Sequence, residues 1–195
     1  MKYLLTLCIF TGFYKLSEGQ VKMGVKAGYN LSTLLYTGVL TLQNQKDQSG
    51  FNGGIFASIP LSPYFSLQPE IVYSTQGTNY QVEAQNAAYH YNYLNFPLLI
   101  KYHHPVGLFA ETGLQIGFPV TAKNVINGES VNILNKTYSP DYAWVIGLGY
   151  QIPEINLGID IRYNLGLINI AHQEAGDINI KNSIFQFGLF YCFKL

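Results

Sequence analysis

Residues 89–117 read YHYNYLNFPLLIKYHHPVGLFAETGLQIG, and this stretch decides the fold. It divides into two strands joined by a tight turn at His103-His104-Pro105. In the first, Leu94, Phe96, Leu98, Ile100 and Tyr102 alternate with Tyr93, Asn95, Pro97, Leu99 and Lys101. In the second, Leu108, Ala110, Thr112, Leu114 and Ile116 alternate with Gly107, Phe109, Glu111, Gly113, Gln115 and Gly117. A period of two sends successive side chains to opposite faces of a sheet. One face is then apolar along its length, and the other mixes glycine, amides, aromatics and a few charges. Each strand runs about ten residues or more, the length that crosses a bilayer as a tilted β-strand.

Outward from this hairpin the pattern repeats. Strands are expected at about Lys22–Asn30, Gly50–Ile59, Tyr64–Thr75, Asp141–Gln151, Ile155–Leu167 and Ser183–Phe193. With the central pair this makes an all-β, eight-stranded antiparallel transmembrane β-barrel. The connections at Pro60–Pro63, His103–Pro105 and Pro153-Glu154 are short. Those over Leu31–Ser49, Gln76–Ala88, Pro119–Pro140 and Ile168–Asn182 are long and polar, and are expected as loops. Outer-membrane barrels show this asymmetry, with short periplasmic turns and long outer loops. An even strand count lets the first and last strands meet. Pro69 and Pro97 fall inside strands of a barrel with no free edge, so a β-bulge is expected at each.

Composition agrees. Charged residues are 11% and aromatics 15% of the 195 residues, with 16 Tyr and 12 Phe. Soluble domains average about 25% charged residues, whereas a lipid-facing barrel needs few charges and carries aromatic girdles. The formal net charge is +0, so no field favours nucleic acid. Beyond the N-terminus there is no apolar run of helix-spanning length.

Residues 1–19 read as a secretory signal, with Lys2 as the charged start, Tyr3–Tyr14 as the apolar core, and Ser17 and Gly19 before a cleavage at Gln20. The competing reading is a first strand or a short helix. Cys8 lies inside this segment without a lipobox context, which argues against a lipid anchor. Residues 20–195 then form one barrel domain whose single cysteine, Cys192, allows no internal disulfide.

The segments GVKAGYNLS, LQPEIVYSTQG, YLNFPLLIKY, GLFAETGLQIG and IDIRYNLGL, in this order, resemble the PorT-like outer-membrane β-barrels common in Bacteroidetes. The resemblance spans the mature chain. It implies an eight-stranded barrel in the outer membrane and no one biochemical activity. Some relatives belong to the type IX secretion and gliding machinery. No catalytic motif is carried over. Phe193 near the end of an apolar last strand is what the resemblance implies for insertion by the barrel-assembly machinery, although Lys194-Leu195 follow it.

The residues that could carry chemistry are the charges on the polar strand face: Lys26, Glu70, Lys101, Glu111, Asp160 and Arg162. Three are positive and three negative, and most lie a similar few residues above the periplasmic rim. An eight-stranded barrel is just wide enough for side chains to fill, and charges buried there must be paired. They are expected as a structural network of salt bridges. The competing reading is an ion path, or a catalytic pair formed by Glu70 and Glu111. Carboxylates among Lys and Arg suit structure better than acid catalysis.

Histidines stand at His90, His103, His104 and His172; His103 and His104 could converge on a metal only at a turn, and two neighbours are too few ligands. Ser and His show no spacing that pairs them as a nucleophile and base. Asn-X-Ser/Thr occurs at Asn30 and Asn135, and Gly50–Gly54 fits no phosphate loop. No cofactor and no catalysis are expected. The expected role is a structural or interaction protein of the envelope, in contact with outer-membrane lipid and meeting other envelope proteins through its loops. The alternatives are a narrow pore or secretion component, and a soluble lipocalin-type carrier with the apolar face turned inward.

Overall fold

The computed structural model describes residues 20–37, 43–82, 85–136, 140–170 and 179–193. The signal segment and His172 lie outside them. The elements are β1 (Lys22–Thr37), β2 (Gln43–Pro60), β3 (Phe65–Val82), β4 (Gln85–His103), β5 (Leu108–Ile126), the short β6 (Glu129–Asn132), a 3-10 turn (Leu134–Lys136), β7 (Asp141–Ile152), β8 (Leu157–Gly166) and β9 (Asn179–Cys192). All pairs are antiparallel. β1 pairs with both β2 and β9, and β4 with both β3 and β5, so eight strands close into a barrel; β6 is a flap on β5.

The faces are those that alternation predicts. Leu98, Trp144, Ile161 and Leu189 are 51%, 43%, 47% and 57% exposed, within a continuous outward band of aliphatic and aromatic side chains. Their neighbours Leu99, Val145, Arg162 and Phe190 are buried. This orientation overturns the lipocalin alternative, which requires the apolar face inside. The short turns, residues 61–64, 104–107 and 153–156, gather at one end. Gly107 there has φ 97° and donates its N–H to the His104 carbonyl at 2.9 Å. By the rule for such barrels this end is periplasmic.

Two expectations are corrected. First, the expected long loops are largely strand. β1 runs on to Thr37, β2 begins at Gln43, β3 and β4 approach each other to Val82 and Gln85, and β5 continues to Ile126. Asn127 (φ 50°) and Gly128 (φ 86°) then turn the chain into β6, the left-handed pair that a two-residue hairpin needs. Many outward residues of these extensions, such as Thr75, Asn79, His90 and Lys123, are polar, and that polarity reads as loop, although Leu35, Val120 and Ile126 are also exposed there. Neighbouring strands still supply backbone partners, and inward residues such as Leu34, Tyr80, Tyr91 and Ala122 are buried. β4 has 19 residues. At about 3.3 Å per residue it is roughly 60 Å long. Tilted by about 40° it rises roughly 46 Å, well beyond an apolar band of about 25 Å.

Second, neither Pro69 nor Pro97 makes a bulge. The β2–β3 register is the same at Phe56↔Glu70 and at Ile59↔Leu67, and the β3–β4 register is the same at Pro69↔Leu98 and at Val72↔Asn95. Pairing simply lapses between those points. The two prolines sit at adjoining levels of the β3–β4 pair, so one patch without donors accommodates both and alternation does not slip. The register shift in β4–β5 comes between Asn92 and Tyr93, opposite Pro119 and Thr121, where the chain leaves the apolar band.

Candidate functional site: the barrel lumen

The interior is filled in layers. Nearest the periplasm, Phe56, Phe109, Phe190 and Cys192 form an apolar floor. Each phenyl ring stands opposite a glycine of the adjacent strand: Gly24↔Phe56, Phe109↔Gly149 and Gly158↔Phe190. A Cβ on Gly24, Gly149 or Gly158 would come within 2.3, 2.2 and 2.2 Å of the ring tip. Three large side chains fit across a narrow barrel because three positions facing them have none. The rings meet edge-on, with centroids 6.0 Å (Phe56–Phe190) and 5.7 Å (Phe109–Phe190) apart, a favoured aromatic arrangement.

Above the floor the structure brings all six predicted charges together. Each is at least nine-tenths buried. Arg162 on β8 is the hub. Its Nη1 and Nη2 donate to Glu70 Oε2 and Oε1, both at 2.8 Å, and its Nε donates to Glu111 Oε1 at 2.5 Å. β3 and β8 are opposite staves of the eight, so the Arg162–Glu70 fork crosses the full lumen. Lys26 lies 3.4 Å from Asp160 Oδ2 and 3.7 Å from Glu70 Oε2, and Lys101 lies 3.8 Å from Glu111 Oε2. Gln68 Nε2 donates to Glu70 Oε1 at 2.7 Å. Glycine again makes the room: Gly147 stands between Glu111 and Arg162 in register, and a Cβ there would meet Glu111 Oε1 at 2.9 Å and Arg162 Cγ at 3.0 Å.

Glu70 and Glu111 therefore share one guanidinium. Forked, charge-assisted bonds of this kind are among the strongest available to side chains. Both carboxylates bond to it, Glu70 through two oxygens and Glu111 through Oε1, with Glu111 Oε2 3.8 Å from Lys101.

The next layer is of amides, which sequence reading passed over. Asn30 is wholly buried. Its Nδ2 donates to Ser74 Oγ and the Thr75 carbonyl, each at 2.9 Å, and its Oδ1 accepts from Asn52 (2.6 Å) and Gln186 (3.0 Å). Its burial removes the glycosylation reading at this position. Outermost, Tyr80, Tyr89, Tyr91 and Tyr93 run as a file, with centroids 4.9, 6.2 and 6.2 Å apart. Tyr91 and Tyr93 pack with Leu34, Ala122 and Ile170.

The histidines do not converge. His90 is exposed above the apolar band, bonded to Gln48 at 2.6 Å. His104 Nδ1 accepts from the Val106 N–H at 3.4 Å. His103 Nε2 lies 2.8 Å from Ser66 Oγ, a Ser–His contact that sequence reading did not foresee. Ser66 pairs with Lys101, two residues before His103, so the contact depends on register and leaves no trace in spacing. Among the described residues no carboxylate bonds the other ring nitrogen, so the pair lacks the orienting third group of a nucleophilic triad.

Among solved structures, the chain is similar to Neisserial surface protein A (NspA), with TM-score 0.56 and 11% identity over 90% of this chain and 100% of that one. It is also similar to Ail, the attachment invasion locus protein of Yersinia pestis, with TM-score 0.51, 16% identity and the same coverage. At these identities the likeness is one of fold. No curated protein matches the chain. The family model described as "Outer membrane protein beta-barrel domain" matches residues 15–172, most of the chain. A closed antiparallel barrel with an apolar exterior agrees with that description: the chain belongs to the outer membrane protein beta-barrel domain family, and its place is the outer membrane.

Proposed function

We propose that this barrel is a structural and interaction protein of the outer membrane that neither catalyses a reaction nor conducts solutes. The observation that carries this reading is the Arg162–Glu70 fork across the lumen, set between a phenyl floor and a tyrosine file. Each of the six charges in this layer is ion-paired with another member of it. The lumen charges lock the staves together. The strand extensions provide the working surface: long, and with polar residues such as Asn79 and Lys123 on their outward side, they hold a contact face clear of the lipid. Ail, whose name is that of an attachment protein, shares this architecture. Within the family we place the chain among the PorT-like barrels of Bacteroidetes, on the order and spacing of GVKAGYNLS, LQPEIVYSTQG, YLNFPLLIKY, GLFAETGLQIG and IDIRYNLGL. Its partners are then outer-membrane lipid around the band and envelope proteins, those of secretion included, at the extensions.

The test has two arms. Purified protein in planar bilayers shows no steady porin-like conductance; stable openings at every insertion, enlarged by Glu70→Ala, would refute the closed lumen. Photo-crosslinkers at outward extension sites such as Asn79 and Lys123 capture a discrete envelope protein in intact cells, whereas one at Leu98 in the band captures lipid. Equal protein capture from both positions would refute the assignment of the extensions as the contact face.

A further inference from the structure

We propose that the periplasmic mouth of the barrel is a binding site for a phosphate-type oxyanion. Two cavities of about 270 and 180 Å³ open at the short-turn end and share Lys22, His103 and Gln151 in their walls. Lys101 lines the larger and His104 the smaller. No Asp or Glu lines either one. Lys101 also belongs to the layer above, where it is ion-paired with Glu111 and three cations and three carboxylates cancel, so Lys22 is the charge in excess at the mouth. With that lysine and no acid in its walls the mouth is a positive concavity in a chain whose formal net charge is zero, and such clefts concentrate anions.

Lys101 points to the ligand. It is 3% exposed. Its ammonium has three N–H donors. The nearest carboxylate oxygen, Glu111 Oε2, is at 3.8 Å, too far for a hydrogen bond. Among the described residues no other side chain accepts from it. Instead it stands over the Phe109 ring, 3.4 Å from the centroid, with the Phe190 ring at 4.7 Å. The ammonium is thus ion-paired with Glu111 and set against two rings, but has N–H donors to spare, and the larger cavity lies beside it.

The neutral groups suit the same guest. Ser66 and Gln68, both 3% exposed, line that cavity; Ser66 Oγ is shared with His103, while Gln68 Nε2, which gives one N–H to Glu70, has a second for an oxygen. Lysine binds phosphate as a point charge, and the phenyl floor excludes water behind it, which strengthens the attraction. The phosphate could be free in the periplasm or carried by a phospholipid headgroup of the inner leaflet, since Phe65 on the cavity wall is also exposed on the lipid side.

The experiment is calorimetric titration of the folded barrel, in nonionic detergent and chloride buffer, with inorganic phosphate. One saturable site is expected, weakened at least tenfold in Lys22→Gln and lost in the double variant Lys101→Met/Glu111→Gln. The double variant keeps the lumen neutral, since Lys26 and Arg162 then face Glu70 and Asp160. Folding of each variant is checked by its heat-dependent shift on a gel. Should the double variant not fold, Lys22→Gln, an exposed rim residue, decides alone. Absence of saturable binding by the unaltered protein, or unchanged affinity in Lys22→Gln, would overturn the site. Repeating the titration in phosphatidylcholine and phosphatidylglycerol vesicles identifies the source. Suppression of phosphate binding by phosphatidylglycerol alone assigns the site to headgroups, and equal binding in both assigns it to the free anion.

Discussion

Replacing Arg162 by Leu should be among the most damaging single changes to the lumen, and its partial repair by a second change tests the network directly. Arg162 makes three charge-assisted hydrogen bonds, two to Glu70 and one to Glu111. At about 1.5–3 kcal/mol each they set an upper bound of roughly 4.5–9 kcal/mol. The net loss is smaller, because Glu70 keeps Gln68 at 2.7 Å and Lys26 at 3.7 Å, and Glu111 keeps Lys101 at 3.8 Å. Removing one partner from a buried ion pair costs about 3–5 kcal/mol, and that is the expected effect. After Arg162→Leu, two lysines face three carboxylates. Adding Glu70→Gln leaves two matched pairs, Lys26–Asp160 and Lys101–Glu111, and should recover at least about half of the loss, the rest reflecting the missing fork.

The assay is urea unfolding in lipid vesicles, followed by the fraction that migrates in the compact form on an unheated gel, with midpoints compared at equal slope. If Arg162→Leu costs less than about 1 kcal/mol, the lumen is wet and the fork contributes little. If Glu70→Gln deepens the damage instead of relieving it, the stranded-charge reasoning fails even though Arg162 matters.

Four further outcomes follow from the same geometry. Ile161→Arg, on the lipid face beside Arg162, should cost about 2–4 kcal/mol if it sits near the bilayer midplane; a silent Ile161→Arg together with lipid-reactive labelling at position 160 would mean an inverted register. Gly158→Ala places a methyl group 2.2 Å from the Phe190 ring tip and should cost about 1–3 kcal/mol as overpacking; that methyl should cost far less in a Phe190→Ala background, a coupling measurable by double-mutant cycle. Asn30→Ala should cost about 1–3 kcal/mol, because Asn52 and Gln186 lose a shared acceptor, while Asn30→Asp should lose the donations to Ser74 and Thr75; unfolding midpoints equal to that of the unaltered protein would refute the hub role. The protein itself should fractionate with outer membranes and run faster unboiled than boiled, and recovery in the soluble periplasm without detergent would contradict the barrel in lipid.

The lipid face was legible in the sequence, and the upper barrel was not, for one physical reason. A side chain in hydrocarbon must be apolar, so within the bilayer alternation between environments is written as alternation in hydropathy. Leu94 to Tyr102 and Leu108 to Ile116 carry that signal in every second residue. Above the lipid both faces tolerate polar groups, and the contrast disappears while the strand continues. His90 and Asn92 point outward and Tyr91 and Tyr93 inward with the same regularity, but the outward residues now resemble a loop. The prolines misled for a related reason. Proline removes a donor, and a bulge is one response. Two prolines at adjoining levels of one strand pair allow another, a shared lapse in bonding with the register kept.

The lumen charges show how far a face assignment can go. Alternation puts Glu70, Glu111 and Arg162 inside, and zero net charge implies that they pair. It cannot say which carboxylate meets the guanidinium, because that depends on height and on stave number. Height depends on the stagger accumulated from strand to strand around the barrel, and a single sequence does not display that stagger. Stave number makes Glu70 and Arg162 partners although 92 residues separate them. The glycines are the sequence's nearest record of these contacts. Gly147 is registered between Glu111 and Arg162, and Gly158 opposite Phe190, each vacant where a neighbour's long side chain passes. Gly147 and Gly158 are thus better read as the space for a neighbour's long side chain than as weaknesses in their strands. The substitutions at Gly158 and Arg162 probe the two sides of that relation, one by filling the space and the other by emptying it.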